Sequence, residues 1–115
     1  MLIVLQSAGA PLTPSLEDYI RRRVNFSLAR FSDQVRKIKV RISDTAGSSG
    51  NYVKRCLIRV SLKNNADITI EDVQDKAVLA VDRAAHRAKK TLLRRLTQRR
   101  RRNRFQGARF SHSAA

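Results

Sequence analysis

Arg83, Arg87, Lys90 and Arg94 follow one another at steps of four, three and four residues. On a helix that spacing places them on one face, because residues three and four apart are surface neighbours. A row of like charges has no use for itself. Its natural partner is a polyanion, since each Lys or Arg that neutralises a phosphate releases condensed counterions. Lys89 and Arg95 flank the row, and Arg99, Arg100, Arg101 and Arg102 follow it. The 33 residues from Arg83 onward hold twelve basic side chains and no acidic one, against 13 basic and 9 acidic in the preceding 82, so the net charge of +16 divides as +12 and +4. A solvating basic tail is the bland reading of a charge run. The helical patterning of the charge favours nucleic acid.

Groups suited to bond-making chemistry are few. His86 lies beside the basic row and His112 near the end of the chain, where a solvated or phosphate-adjacent imidazole is the default expectation. Cys56 falls on the apolar phase of an alternating segment, which suits a small buried hydrophobe better than a nucleophile. Glu71, Asp72 and Asp75 could imitate a metal cluster, but at a strand-to-helix junction acidic residues equally serve as caps and dipole partners. No glycine-rich phosphate loop or nucleophile motif is present. The expectation is a protein that binds, with no catalytic residue, metal or cofactor.

One hundred and fifteen residues, 42% of them hydrophobic, suffice for one domain with a core and not for two ordinary ones. A single cysteine excludes an internal disulfide and a usual four-ligand zinc site. The opening Met1-Leu2-Ile3-Val4-Leu5 lacks a basic n-region and is far shorter than a signal core or the roughly 20 residues that span a bilayer. A cytoplasmic protein without a membrane partner is expected.

Several elements must position the basic row. Leu2 to Gln6 reads as a short buried strand. After a loop containing Gly and Pro, Thr13-Pro14 supplies an N-cap and a first-turn proline, with Glu17 and Asp18 well placed for the helix dipole. Leu16, Ile20, Val24, Leu28 and Phe31 then recur at helical steps, which predicts a helix from Pro14 to about Phe31. From Val35 the period becomes two. Ile38, Val40 and Ile42, then Cys56, Ile58, Val60 and Leu62, then Ile68 and Ile70, are the inward sides of three further strands. Thr45 to Asn51 and Lys63 to Ala66 connect them.

A second helix is expected from near Asp75. Val78, Val81, Ala85, Ala88, Leu92 and Leu96 fall within about 40° of one direction at 100° per residue. The basic row lies opposite, with Lys76 and Arg101 extending its line, while Leu79 falls on the basic side without a sequence explanation. The order β-α-β-β-β-α predicts an α+β two-layer sandwich. Its four-stranded mixed sheet has strands 1 and 2 parallel and carries both helices on one face. Residues 1–96 form the RNA-binding domain, and 97–115 an Arg-rich tail too poor in apolar residues to fold alone.

Three stretches carry a family resemblance: Thr13-Pro14-Ser15-Leu16-Glu17-Asp18-Tyr19-Ile20, Ala29-Arg30-Phe31-Ser32-Asp33, and Asp67-Ile68-Thr69-Ile70-Glu71 leading to Ala80-Val81-Asp82. In order and spacing, over residues 2–96, the chain resembles the ribosome hibernation promoting factors and ribosome-associated translation inhibitors, once called sigma-54 modulation proteins. The resemblance implies the same fold, no catalysis, and binding to the small ribosomal subunit and its RNA in the channel used by mRNA and tRNA. The basic positions of the family's second helix are matched by Arg87, Lys90, Arg94 and Arg95, and Arg23 matches a commonly basic position of the first helix. The family's usual Met-Tyr is Ala77-Val78 here, followed by Leu79, and its Gly-Gly turn is Asn64-Asn65. The Arg-rich tail stands where the long form has its dimerisation domain, so no ribosome-pairing role is carried over, and a monomer is expected off the ribosome.

The outward faces of strands 2 and 3 offer Lys37, Lys39, Arg41, Arg55 and Arg59 but no aromatic residue, so the stacking platform of an RNA recognition motif is missing. A grip on backbone rather than base readout is expected. Two alternatives stay open: a general structured-RNA-binding or ribosome-assembly protein of the same fold, and a basic module for an acidic protein partner.

Overall fold

A computed structural model describes residues 1–9, 12–46 and 52–114, with side chains described as far as Thr97. The elements are β1 (Leu2–Ala8), α1 (Pro14–Leu28) with a 3-10 turn at Ala29–Phe31, β2 (Val35–Ala46), β3 (Tyr52–Leu62), β4 (Ile68–Gln74) and α2 (Ala77–Ala114). The sheet order is β1-β2-β3-β4, with β1 parallel to β2 and the last three strands antiparallel. This is the expected α+β arrangement.

Local chemistry accounts for the helix boundaries. Thr13 adopts an extended conformation and its hydroxyl accepts from the Leu16 amide at 3.2 Å, while Pro14 occupies the first turn and Glu17 faces the positive end of the dipole. The last turn of the expected helix tightens to 3-10 geometry, so regular α structure ends at Leu28 and not Phe31. Gly9, at φ +97°, turns the chain out of β1 in a conformation other residues rarely adopt. The loop at Ala10-Pro11 and residues 47–51 of the expected β2–β3 turn lie outside the described residues.

Val35 and Ile38 are both buried although three residues apart, which a strict alternation forbids. The β2–β3 register shifts between Val35 and Lys37, and this bulge returns both side chains to the core face. Ile38, Val40 and Ile42 then pack with Cys56, Ile58, Val60 and Leu62 of β3 and Ile68 and Ile70 of β4. Ile20, Val24 and Leu28 of α1 close the core from the helical layer.

α2 begins at Ala77, two residues after the expected start, with the Ala80 amide bonded to the Lys76 carbonyl. Its buried residues are Ala80, Val81, Ala84, Ala85, Ala88 and Leu92. Two corrections to the expected stripe follow. Val78 is 44% exposed, and Leu96 only packs against the edge of the core. Burial selects small residues because α2 must pack against both the sheet and α1, and alanines at 80, 84 and 88 allow that approach. The helix continues past residue 96, where the sequence places the domain boundary.

Candidate nucleic-acid interface

The α1–α2 contact is built around one carboxylate. Asp82 Oδ1 accepts from the Tyr19 hydroxyl and, at 3.2 Å, from Arg23 Nε, while Arg23 also donates to Ser27 Oγ. The bond to Asp82, with smaller contributions from burial and from the carboxylate charge, raises the Tyr19 pKa above its usual 10.0. Arg23, which matches a commonly basic position of the family's first helix, lies in this half-buried clasp, its side chain 27% exposed.

The cations of α2 divide into two sets. Arg87 Nη1 donates to the Glu71 carbonyl at 2.6 Å and approaches Asp72 Oδ2 at 3.4 Å, and Arg95 Nη1 donates to the Ala66 carbonyl at 2.9 Å. These two arginines tie the helix to β4 and to the β3–β4 turn. Arg83, Lys90 and Arg94 are exposed and have no ion-pair or hydrogen-bond partner among the described residues, and Lys89 is half-buried with none. Arg83, Lys90 and Arg94 lie on the solvent side, opposite the buried alanines. The side chains of Arg99, Arg100, Arg101 and Arg102, and His112, lie outside the described residues.

The groups considered for catalysis are apart or engaged. Glu71 and Asp72 fall within β4 on opposite faces, Glu71 paired with Arg55 at 2.6 Å and Asp72 accepting from Gln74 at 2.7 Å. Among the described residues no group of three or more potential ligands could hold a metal. Cys56 is fully buried, and burial, assisted by the Asp72 charge, pushes its pKa up to about 12, which suppresses the reactive thiolate. Exposed His86 shares a shallow depression with Arg83 and Arg87.

The sequence reading missed two exposed aromatics. Tyr52, at the start of β3, is 79% exposed, and Phe26, on α1, is 81% exposed. Phe26 lies outside the apolar stripe that defined the helix, and that departure was the available signal.

A family profile described as sigma 54 modulation protein / S30EA ribosomal protein matches residues 3–100, and the chain belongs to that family. It is therefore a ribosome-associated protein of the hibernation class and not an enzyme. Among solved structures, the N-terminal domain of Protein Y from Thermus thermophilus is similar with a TM-score of 0.67 and 23% identity, over 82% of this chain and 98% of that one. A ribosomal subunit interface protein from Coxiella burnetii is similar with a TM-score of 0.71 and 17% identity, over 84% and 99% respectively. At these identities the two support the fold. No curated protein sequence matches. No helix among the described residues is long and apolar enough to cross a membrane.

Proposed function

We propose that the chain binds the small ribosomal subunit through its RNA and excludes mRNA and tRNA from their channel, acting as a cytoplasmic hibernation factor that is monomeric off the ribosome. The observation that carries this reading is the row Arg83, Lys90 and Arg94. These three cations stay exposed and, among the described residues, unpaired on a helix whose opposite face is locked into the core, in a chain of the sigma 54 modulation / S30EA family. A rigid row of free cations fits phosphates of folded RNA and costs little ordering on binding. Arg99 to Arg102 extend the positive field along the chain and add long-range attraction. Arg87 and Arg95 contribute by fixing the helix against the sheet. Arg23 contributes by fixing it against α1.

The experiment is competition on purified small subunits. Saturating protein should displace initiator tRNA and suppress cell-free translation, and chemical footprinting should show protection in the decoding channel. Undisturbed tRNA binding, with protection elsewhere, would favour the assembly-factor alternative.

A further inference from the structure

Phe26 presents an aromatic ring to solvent in the last turn of α1, 81% exposed, although every other described Phe or Tyr on the helical layer is engaged. Tyr19 is held by Asp82, and Phe31 is buried beneath the Arg30 guanidinium at 5.5 Å. Phe26 stands one helical turn after Arg22 and four residues before Arg30 of the following 3-10 turn. Arg22 is bound only to Asp18, at 3.8 Å, with both side chains about three-quarters exposed, an arrangement of little energetic weight. The Arg30 guanidinium sits 5.5 Å from the Phe31 ring centroid, and no hydrogen bond or ion pair engages it among the described residues.

Two crossings fix the neighbourhood. Asp82 meets Tyr19 and Arg23 at one level, while Leu93 and Leu96 share a pocket with Arg30 and Phe31 at another. The helices therefore run in the same direction, and Phe26 falls in sequence between the α1 residues at these two levels. An aromatic ring set among cations is what single-stranded nucleic acid uses, since every base has a π face and every nucleotide a phosphate.

We infer that Phe26 is a stacking platform for an unpaired RNA base, with Arg22 and Arg30 holding the phosphates on either side. The inference rests on the RNA-binding reading above and deepens it: the helical layer grips unpaired nucleotides as well as duplex backbone. Aromatic contact on the helical layer is supplied from α1, while the sheet carries its one exposed described aromatic, Tyr52, at the start of β3.

The chain contains no tryptophan, so F26W introduces a single fluorophore at the site. Full-length F26W is titrated with a short oligouridylate and with its abasic ribose-phosphate counterpart, binding of each being followed by anisotropy of a labelled strand. The oligouridylate should quench the tryptophan, and the abasic strand should bind without quenching. F26A should weaken binding to oligouridylate and to the small subunit about tenfold at every salt concentration, leaving the salt slope unchanged. Arg22→Gln with Arg30→Gln should flatten the slope.

Equal quenching by both strands, or full affinity in F26A, overturns the inference while leaving ribosome binding through α2 intact. A chain that binds neither strand nor subunit overturns both readings. Loss of self-association in F26A, seen by sedimentation, assigns Phe26 to a protein contact and overturns the stacking role.

Discussion

Tyr19 and Asp82, sixty-three positions apart, meet across the α1–α2 interface in a hydrogen bond that Arg23 completes from its own helix. One carboxylate thus fixes the relative placement of the two helices, and with it the surface that both present to solvent. Arg23, a cation of the first helix, helps to make that surface.

Removing the phenolic hydroxyl tests this clasp. Y19F should cost about 1 kcal/mol in denaturant unfolding, the usual worth of one hydrogen bond, and D82A about 1–2 kcal/mol because it releases two donors on a partly exposed acceptor. The pH dependence has a definite sign. Tyr19 holds its proton more tightly in the folded state than its usual pKa of 10.0, so its contribution is complete below that pH and is lost as pH rises beyond it. Wild-type stability should fall above pH 10, and the Y19F profile should be flatter there.

The two sets of α2 cations should separate in stability. R87Q removes a donor to the Glu71 carbonyl and R95Q one to the Ala66 carbonyl, so each should lower stability by about 0.5–1 kcal/mol. R94Q changes an unpartnered side chain and should fall within about 0.5 kcal/mol of wild type. Equal effects from all three would remove the distinction between anchoring and free arginines.

Periodicity made the architecture legible and misread parts of the site. The alternation through Val40, Ile58 and Ile70 located the core face of the sheet because a strand's side chains point to opposite faces in turn. The bulge at Val35 was invisible, since it depends on register against β3. On α2, hydrophobicity favoured Val78 over Ala80 and Ala84, whereas packing against two neighbours selected the smaller residues. The partners of Arg23, Arg87 and Arg95, namely Asp82, Glu71 and Ala66, were not legible because they lie 59, 16 and 29 positions away. No local pattern announces a distant carbonyl. Phe26 was legible as an apolar residue out of phase, but only its exposure in the fold gave that meaning.

Truncation tests the proposed domain boundary. The described core and its flanking residues end at Leu96, so deleting Gln98 to Ala115 should leave the thermal midpoint nearly unchanged. Association with ribosomes should slow, because six arginines of the attracting field are removed. A large fall in the midpoint would place the boundary further along the chain.

The central claim is that Arg83, Lys90 and Arg94 hold small-subunit RNA, and its most direct test is the salt dependence of binding by R83Q/K90Q/R94Q. Glutamine keeps helix propensity, and these side chains have no described partner, so the variant should fold as wild type does. Its affinity for the small subunit should fall, and the slope of log K against log salt should flatten by about 2–3 units if each side chain neutralises one phosphate. A folded variant with the wild-type affinity and the wild-type slope would contradict the account.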